Sequence, residues 1–280
     1  MAGAALAFSA MNALVKAVST ELPTMEIVFA RTTLMGVFTL AMLRREGVSP
    51  IGHNTRLLFA RGAIGATALS LLYFALGRIP LGDATTIHYT APLWTALTAA
   101  FFLRETIGKW VIAGTAVSLA GVVMIAQPQF LFGGAGLDGL AVGAAVLASM
   151  LAGSVYTVVR KLRETDHPLV IVLSLSWVGA LGSLPFVLKG NWLMPSGEAW
   201  ALLLAIGIST QIGQVCLTKG LHLLPAARAT AIGYLQIVFA FALGMVFFGT
   251  VPNLWSLLGA GLVLASVLLL ARRQPAAPKA

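Results

Sequence analysis

The chain has 280 residues, of which 59% are hydrophobic and 10% charged, with a mean hydropathy of +0.92. A soluble chain of this size carries roughly 25% charged residues to cover its surface, so lipid must replace water over most of this one. The net charge of +9 excludes no partner by itself, but the basic residues fall in short clusters between apolar runs, which is the pattern of membrane topology and not of a nucleic-acid surface. A single cysteine, Cys216, excludes an intrachain disulfide and a cysteine metal cluster, and its apolar surroundings make it a small packing residue.

An apolar helix needs about 20 residues to cross the hydrocarbon core. Windows of that size give ten spans: 1–19, 24–43, 57–77, 81–103, 108–126, 137–160, 169–188, 198–219, 226–248 and 254–271. The first lacks a positive n-region, its first basic residue being Lys16, so it reads as a retained helix and not a cleaved signal. Phe8, Asn12 and Lys16 are its candidates for the bundle interior. Span two holds Arg31, which at a helix centre costs at least ~2.5 kcal/mol against lipid and must be buried or paired. Glu26 is five residues away and not on the same face, so structural pairing and recognition of a substrate carboxylate both stand. Ser70 and Tyr73 are the polar residues of span three.

Span four contains ATTIHYTAPLW, residues 84–94. Pro92 has no amide proton and crowds the carbonyl four residues back, that of His88, which predicts a kink with a freed carbonyl beside an imidazole and the phenol of Tyr89. Helical spacing places Thr85, His88 and Pro92 on one face. Two readings stand: a packed kink satisfied by neighbouring helices, or the wall of a polar cavity. Trp94 and, in span seven, Trp177 are cavity or packing aromatics. In span eight, Gln211 and Gln214 are three apart, and in span nine Thr230 and Tyr234 are four apart, with Gly233 and Gln236 adjoining. The spacings Gly114–Ser118 and Gly139–Gly143 fit close helix packing.

Orientation follows from charge. With the N-terminus cytoplasmic, fourteen of the eighteen basic residues fall on the cytoplasmic side, among them Arg44, Arg45, Arg56, Arg61 and Arg163, and both termini lie there. The chain also matches itself at an offset of 145: Pro80 falls on Pro225, Ala84 on Ala229, Thr85 on Thr230, Tyr89 on Tyr234, Trp110 on Trp255 and Gly62 on Gly207. Residues 1–130 and 131–280 are therefore two copies of five spans. Five is odd, so the second copy crosses in the opposite sense, and Tyr89 and Tyr234 bracket the midplane. Inverted repeats characterise secondary transporters, with the substrate between the halves.

The segment PLGDATTIHYTAPLWTALTAAFFLRE, its counterpart PAARATAIGYLQIVFAFALGMVFFG and the five-plus-five organisation resemble the drug/metabolite transporter superfamily, EamA type. The second copy departs from the first where Gly249–Thr250 stand in place of Arg104–Glu105. The resemblance covers the whole chain and implies an all-α membrane protein of ten transmembrane helices in two inverted five-helix repeats. It implies export of small metabolites, amino acids among them, with the YddG-type exporters of aromatic amino acids as the nearest comparison.

The sequence reading is thus an exporter in a bacterial cytoplasmic membrane, monomeric, with a small-molecule substrate and lipid as its partners. The expected substrate-binding residues are His88, Tyr89, Pro92, Tyr234, Thr85, Thr230, Gln211, Gln214, Asn12, Tyr73, Trp177 and Arg31. No Walker loop, HExxH pattern or Ser/His/Asp set is present, and neither metal nor cofactor is expected. A drug or cation efflux carrier is the alternative; an intramembrane enzyme or a channel lacks the paired acids or pore ring it needs.

Overall fold

A computed structural model describes residues 1–103, 109–127, 136–189, 193–223 and 233–273. Every secondary-structure element among them is an α-helix. In chain order these are α1 (Ala2–Val18), α2 (Thr24–Glu46), α3 (Thr55–Leu76), α4 (Leu81–His88), α5 (Ala91–Leu103) and α6 (Lys109–Ala126). They continue as α7 (Gly139–Leu162), α8 (Pro168–Lys189), α9 (Gly197–Leu223), α10 (Leu235–Phe248) and α11 (Leu254–Arg273). Stretches Thr24–Glu46, Thr55–Leu76, Gly139–Val159 and Pro168–Lys189 are each long and apolar enough to cross a membrane, and Ala2–Val18, Ile112–Ala126, Leu235–Phe248 and Leu254–Ser266 are shorter apolar helices. The molecule is an all-helical membrane protein.

Local chemistry sets the helix ends. Pro23 and Pro80 stand just before α2 and α4, where a missing amide proton costs no helical bond. Asn54 caps α3 by accepting from the Leu57 amide at 3.2 Å, and Asp138 caps α7 by accepting from those of Leu140 and Ala141. Gly47 and Gly249 close α2 and α10 in the left-handed conformation at φ 66° and 60°. Gly249 therefore ends its helix where Arg104–Glu105, outside the described residues, stand in the first copy.

α6 lies along α11, α1 against α9 and α10, α2 against α8, α3 against α7 and α8, and α4 and α5 against α7. Small residues permit the closest approaches. A Cβ on Gly121 of α6 would meet the Gly259 carbonyl of α11 at 2.7 Å, and one on Gly153 of α7 would meet the Ala91 carbonyl at 2.7 Å. Gly114 packs near the Ser266 carbonyl at 3.6 Å, as its spacing with buried Ser118 predicted. A Cβ on Gly139 or Gly143 would meet nothing within 4 Å, so close packing does not require glycine at that pair.

Connections assigned to one side of the membrane meet one another. At one end Arg78 pairs with Asp138 at 3.3 Å, Gln127 donates to Asn253 at 2.9 Å, and Glu21 accepts from the amide and hydroxyl of Ser196. At the other, Asp166 accepts from the His53 amide at 2.6 Å and the Thr165 hydroxyl at 2.6 Å. Partial desolvation pulls the Asp166 carboxyl upward, but these donors, the Asn54 amide and the charge of His53 outweigh it and hold the pKa below 3.8.

Candidate functional site

Span four is two helices, not one kinked helix. α4 ends at His88, Tyr89 and Thr90 form a turn, and α5 starts at Ala91, which places Pro92 in a first turn where proline is tolerated. The shared face expected for Thr85, His88 and Pro92 is accordingly lost, because it assumed an unbroken helical register. The turn is held by Thr90, which is buried: its hydroxyl contacts the Ile87 carbonyl at 2.8 Å and Ser149 of α7 at 2.9 Å, and the Trp94 indole donates to it at 3.1 Å.

Tyr234 sits at a turn as well, between helical Gly233 and α10. Its ring meets that of Tyr89 at 5.3 Å between centroids, tilted by 58°. The Tyr89 hydroxyl lies 2.7 Å from Gln236 Oε1 and 3.0 Å from the Gly233 carbonyl, so it can donate to either. The Tyr234 hydroxyl is buried without a partner. The interrupted span four thus meets the start of α10 through two tyrosines, and α1 braces α10 by donating from Ser9 to the Gln236 carbonyl at 2.9 Å. Interruptions of this kind inside a bundle are where carriers hold their solutes. Thr230, the remaining residue expected on this wall, lies outside the described residues.

Arg31 is 6% exposed on the interior face of α2, with Val28, Thr32 and Met35. Its guanidinium lies 5.5 Å from the Tyr73 ring centroid, its Nε is 3.5 Å from the Thr210 hydroxyl, and its Nη1 has no partner. Tyr73 is fully buried and its hydroxyl faces the Met11 sulfur at 3.8 Å. Asn12 Oδ1, Thr85 Oγ1 and His88 Nδ1 are likewise buried without partners. Buried polar atoms are nearly always paired, so each of these unpartnered atoms is a candidate to meet a polar group from outside the chain.

Two side chains belong here that sequence reasoning passed over. Arg61 reads as a topological charge, yet on α3 it shares the face of buried Ala68 and Leu72, and its Nε and Nη1 are buried and unpartnered. Tyr156 went unremarked. It stands two turns from Ser149 on the face of α7 that carries Ala141 and Ala145, all three at 0% exposure, yet Tyr156 is 59% exposed. Tyr156 lies within electrostatic reach of Arg61, Tyr89 and Tyr234, and Arg61 within that of Arg31. Ring contacts and electrostatic reach thus link all four tyrosines of the chain to the two arginines.

Other expected residues have local duties. Lys16 donates to the carbonyls of Leu76 and Ile79 at 2.9 and 2.8 Å, capping the C-terminal end of α3. Ser70 bonds within its own helix to the Ala66 carbonyl. Gln211 reaches the Met42 sulfur at 2.9 Å, Gln214 is half-buried on the same helix, and Phe8 packs over Gly213. Glu26 accepts from the Leu193 amide at 3.2 Å and makes no ion pair with Arg31. Trp177 is 51% exposed on α8, a helix that also exposes Leu181 and Leu188.

The EamA-like transporter family matches residues 1–127 and again residues 139–272. The pseudopaline exporter CntI of Pseudomonas aeruginosa is 31% identical over 269 residues, covering 96% of this chain and 93% of its own. Human solute carrier family 35 member G1 is 30% identical across 83% of this chain and 67% of its own, and a riboflavin transporter of Rhizobium johnstonii 27% identical across 97% and 89%. One crystal structure, 19% identical, shares the fold with a TM-score of 0.63 over 97% of this chain and 98% of its own. With the family matched over nearly its whole length, the chain belongs to the EamA-like transporters.

Proposed function

We propose that the protein is a secondary exporter of small organic metabolites, amino acids or close relatives, working by alternating access in a bacterial cytoplasmic membrane with both termini in the cytoplasm. The observation that carries this reading is the contact of Tyr89 with Tyr234 where span four is interrupted, together with buried atoms of Arg31, Arg61, Asn12 and His88 that have no partner and with exposed Tyr156. Aromatic walls with a few placed polar groups suit a solute that has both apolar and charged parts.

The two-repeat reading, residues 1–130 and 131–280, draws support from helix pairing. Exchanging positions at the offset of 145 turns the α1–α9 contact into α7–α3 and the α1–α10 contact into α7–α5, and leaves α2–α8 and α6–α11 as they are. The Gly114–Ser266 contact becomes Gly259–Gly121 under the same exchange. Carriers with such symmetry rock one part against another around a central site, and a single chain suffices.

The test is counterflow in proteoliposomes with a panel of labelled amino acids. Saturable uptake accelerated by unlabelled solute on the opposite side supports a carrier. Flux that rises linearly with concentration and shows no acceleration sinks it in favour of a channel.

A further inference from the structure

We infer that the solute is an organic anion with at least two carboxylates, held between Arg31 and Arg61 along the tyrosine wall; this rests on the transport reading above. The two arginines enter from opposite ends of adjacent helices. Arg31 stands about 10 Å along α2 from Thr24, and Arg61 about 9 Å along α3 from Thr55, at 1.5 Å per residue. The two cations are therefore offset along the bundle, with the Tyr73 ring 5.5 Å from the first guanidinium and Tyr156 within electrostatic reach of the second.

A structural role would leave each charge paired within the protein, as Lys16 is by two carbonyls. Arg31 Nη1, Arg61 Nε and Arg61 Nη1 are instead buried with no partner. Among the described residues the ion pairs are Arg78–Asp138 and His167–Glu46, both away from this site. Of the carboxylates near the spans, Glu26 is bonded to the Leu193 amide, and Asp83 lines a separate cavity of about 120 Å³ with Gln127, Asn253 and Ser256. Among the described residues the protein thus supplies no carboxylate paired with either guanidinium, a costly arrangement for these buried nitrogens that two anionic groups on one solute would relieve.

Arginine also fits the chemistry. Its planar fork matches a carboxylate with two parallel hydrogen bonds, which an ammonium does not. The first turns of α5 and α10 begin beside Tyr89 and Tyr234 and add their positive dipole ends. A monocarboxylate would leave one guanidinium unanswered; a dicarboxylate answers both.

Matched probes test this. In counterflow, glutamate should be exchanged about tenfold or more better than glutamine by the unaltered protein, since a charge-assisted hydrogen bond contributes that much. The ratio should fall toward one in R31Q and in R61Q and be partly kept in R31K and R61K; taken within each variant, it is independent of yield. Binding is read separately as the rise in Tm of the purified, unaltered protein with succinate over that with butyrate. Glutamine exchanged as well as glutamate, a preference surviving both Gln variants, or no excess Tm rise with succinate overturns the inference. Neutral amino acids exchanged without dicarboxylates would leave the transport reading standing while the inference falls. A succinate-specific Tm rise with no flux of any solute would do the reverse.

Discussion

Tyr156 separates packing from function more cleanly than the better-hidden tyrosines do. Its ring borders accessible space, so Tyr156→Ala should cost less than ~1 kcal/mol of stability, because little apolar contact is lost, while lowering exchange several-fold. Tyr73→Ala, by contrast, opens a cavity in the core and should lower Tm and yield together. Tyr89→Phe keeps the ring against Tyr234 but loses the bond to Gln236, so exchange should fall less than in Tyr89→Ala. Equal flux in Tyr156→Ala and the parent, measured per molecule reconstituted, would remove this ring from the site. Tyr89, Tyr234, Arg31 and Asn12 were legible in the sequence because polar groups inside apolar runs stand out. Arg61 was not, because an arginine six residues into a helix that follows a basic loop looks like a topology signal. Tyr156 was hidden for a different reason. Only the 0% exposure of Ala141, Ala145 and Ser149 shows that its face of α7 points inward.

At the scale of elements, the ten apolar runs were readable from hydropathy, but the interruption of span four was read as a kink. A proline weakens a helix at the carbonyl four residues back; whether the helix bends or stops depends on what captures the freed groups. Here the Thr90 hydroxyl meets the Ile87 carbonyl and is itself held by Ser149 of α7, and no sequence window brings residues 90 and 149 together. Gly153 seats the start of α5 against α7, and Gly153→Leu would drive a side chain into the Ala91 carbonyl and the Thr95 amide. That substitution should destabilise by several kcal/mol, beyond the ~1–3 kcal/mol of ordinary overpacking, because backbone and not side chain must move; Tm in detergent measures it. The Asp166 tether makes a smaller, pH-dependent contribution. Its pKa is depressed in the folded state, so the contribution is complete above the ordinary 3.8 and is lost as pH falls through the lower folded value. Thermal unfolding of Asp166→Asn against the parent should show a gap at neutral pH that narrows in acid.

For the whole molecule, the scarcity of carboxylates in the spans leaves little to carry a coupling proton, so flux driven by a pH gradient alone should be weak. A solute of net negative charge has another driving force. A membrane potential, negative inside, is worth about 2.3 kcal/mol per elementary charge per 100 mV, and it pushes anions outward. In proteoliposomes, a potassium diffusion potential with no pH gradient should therefore change the rate of glutamate movement, inside-negative vesicles releasing it faster. Uphill accumulation of glutamate under a pH gradient with the potential clamped at zero would contradict this.

The tight seam between α6 and α11 has a consequence for selection experiments. Gly121 and Gly259 press backbone to backbone, with Val263, Leu262 and Ile125 as their nearest side chains. In a saturation library grown under selection, every larger residue at these two positions should vanish regardless of which solute the cells must expel. Variants at Arg31 and Arg61 should vanish or survive according to the solute imposed. The seam would then serve as an internal standard, reporting loss of protein, against which solute-dependent depletion elsewhere can be ranked.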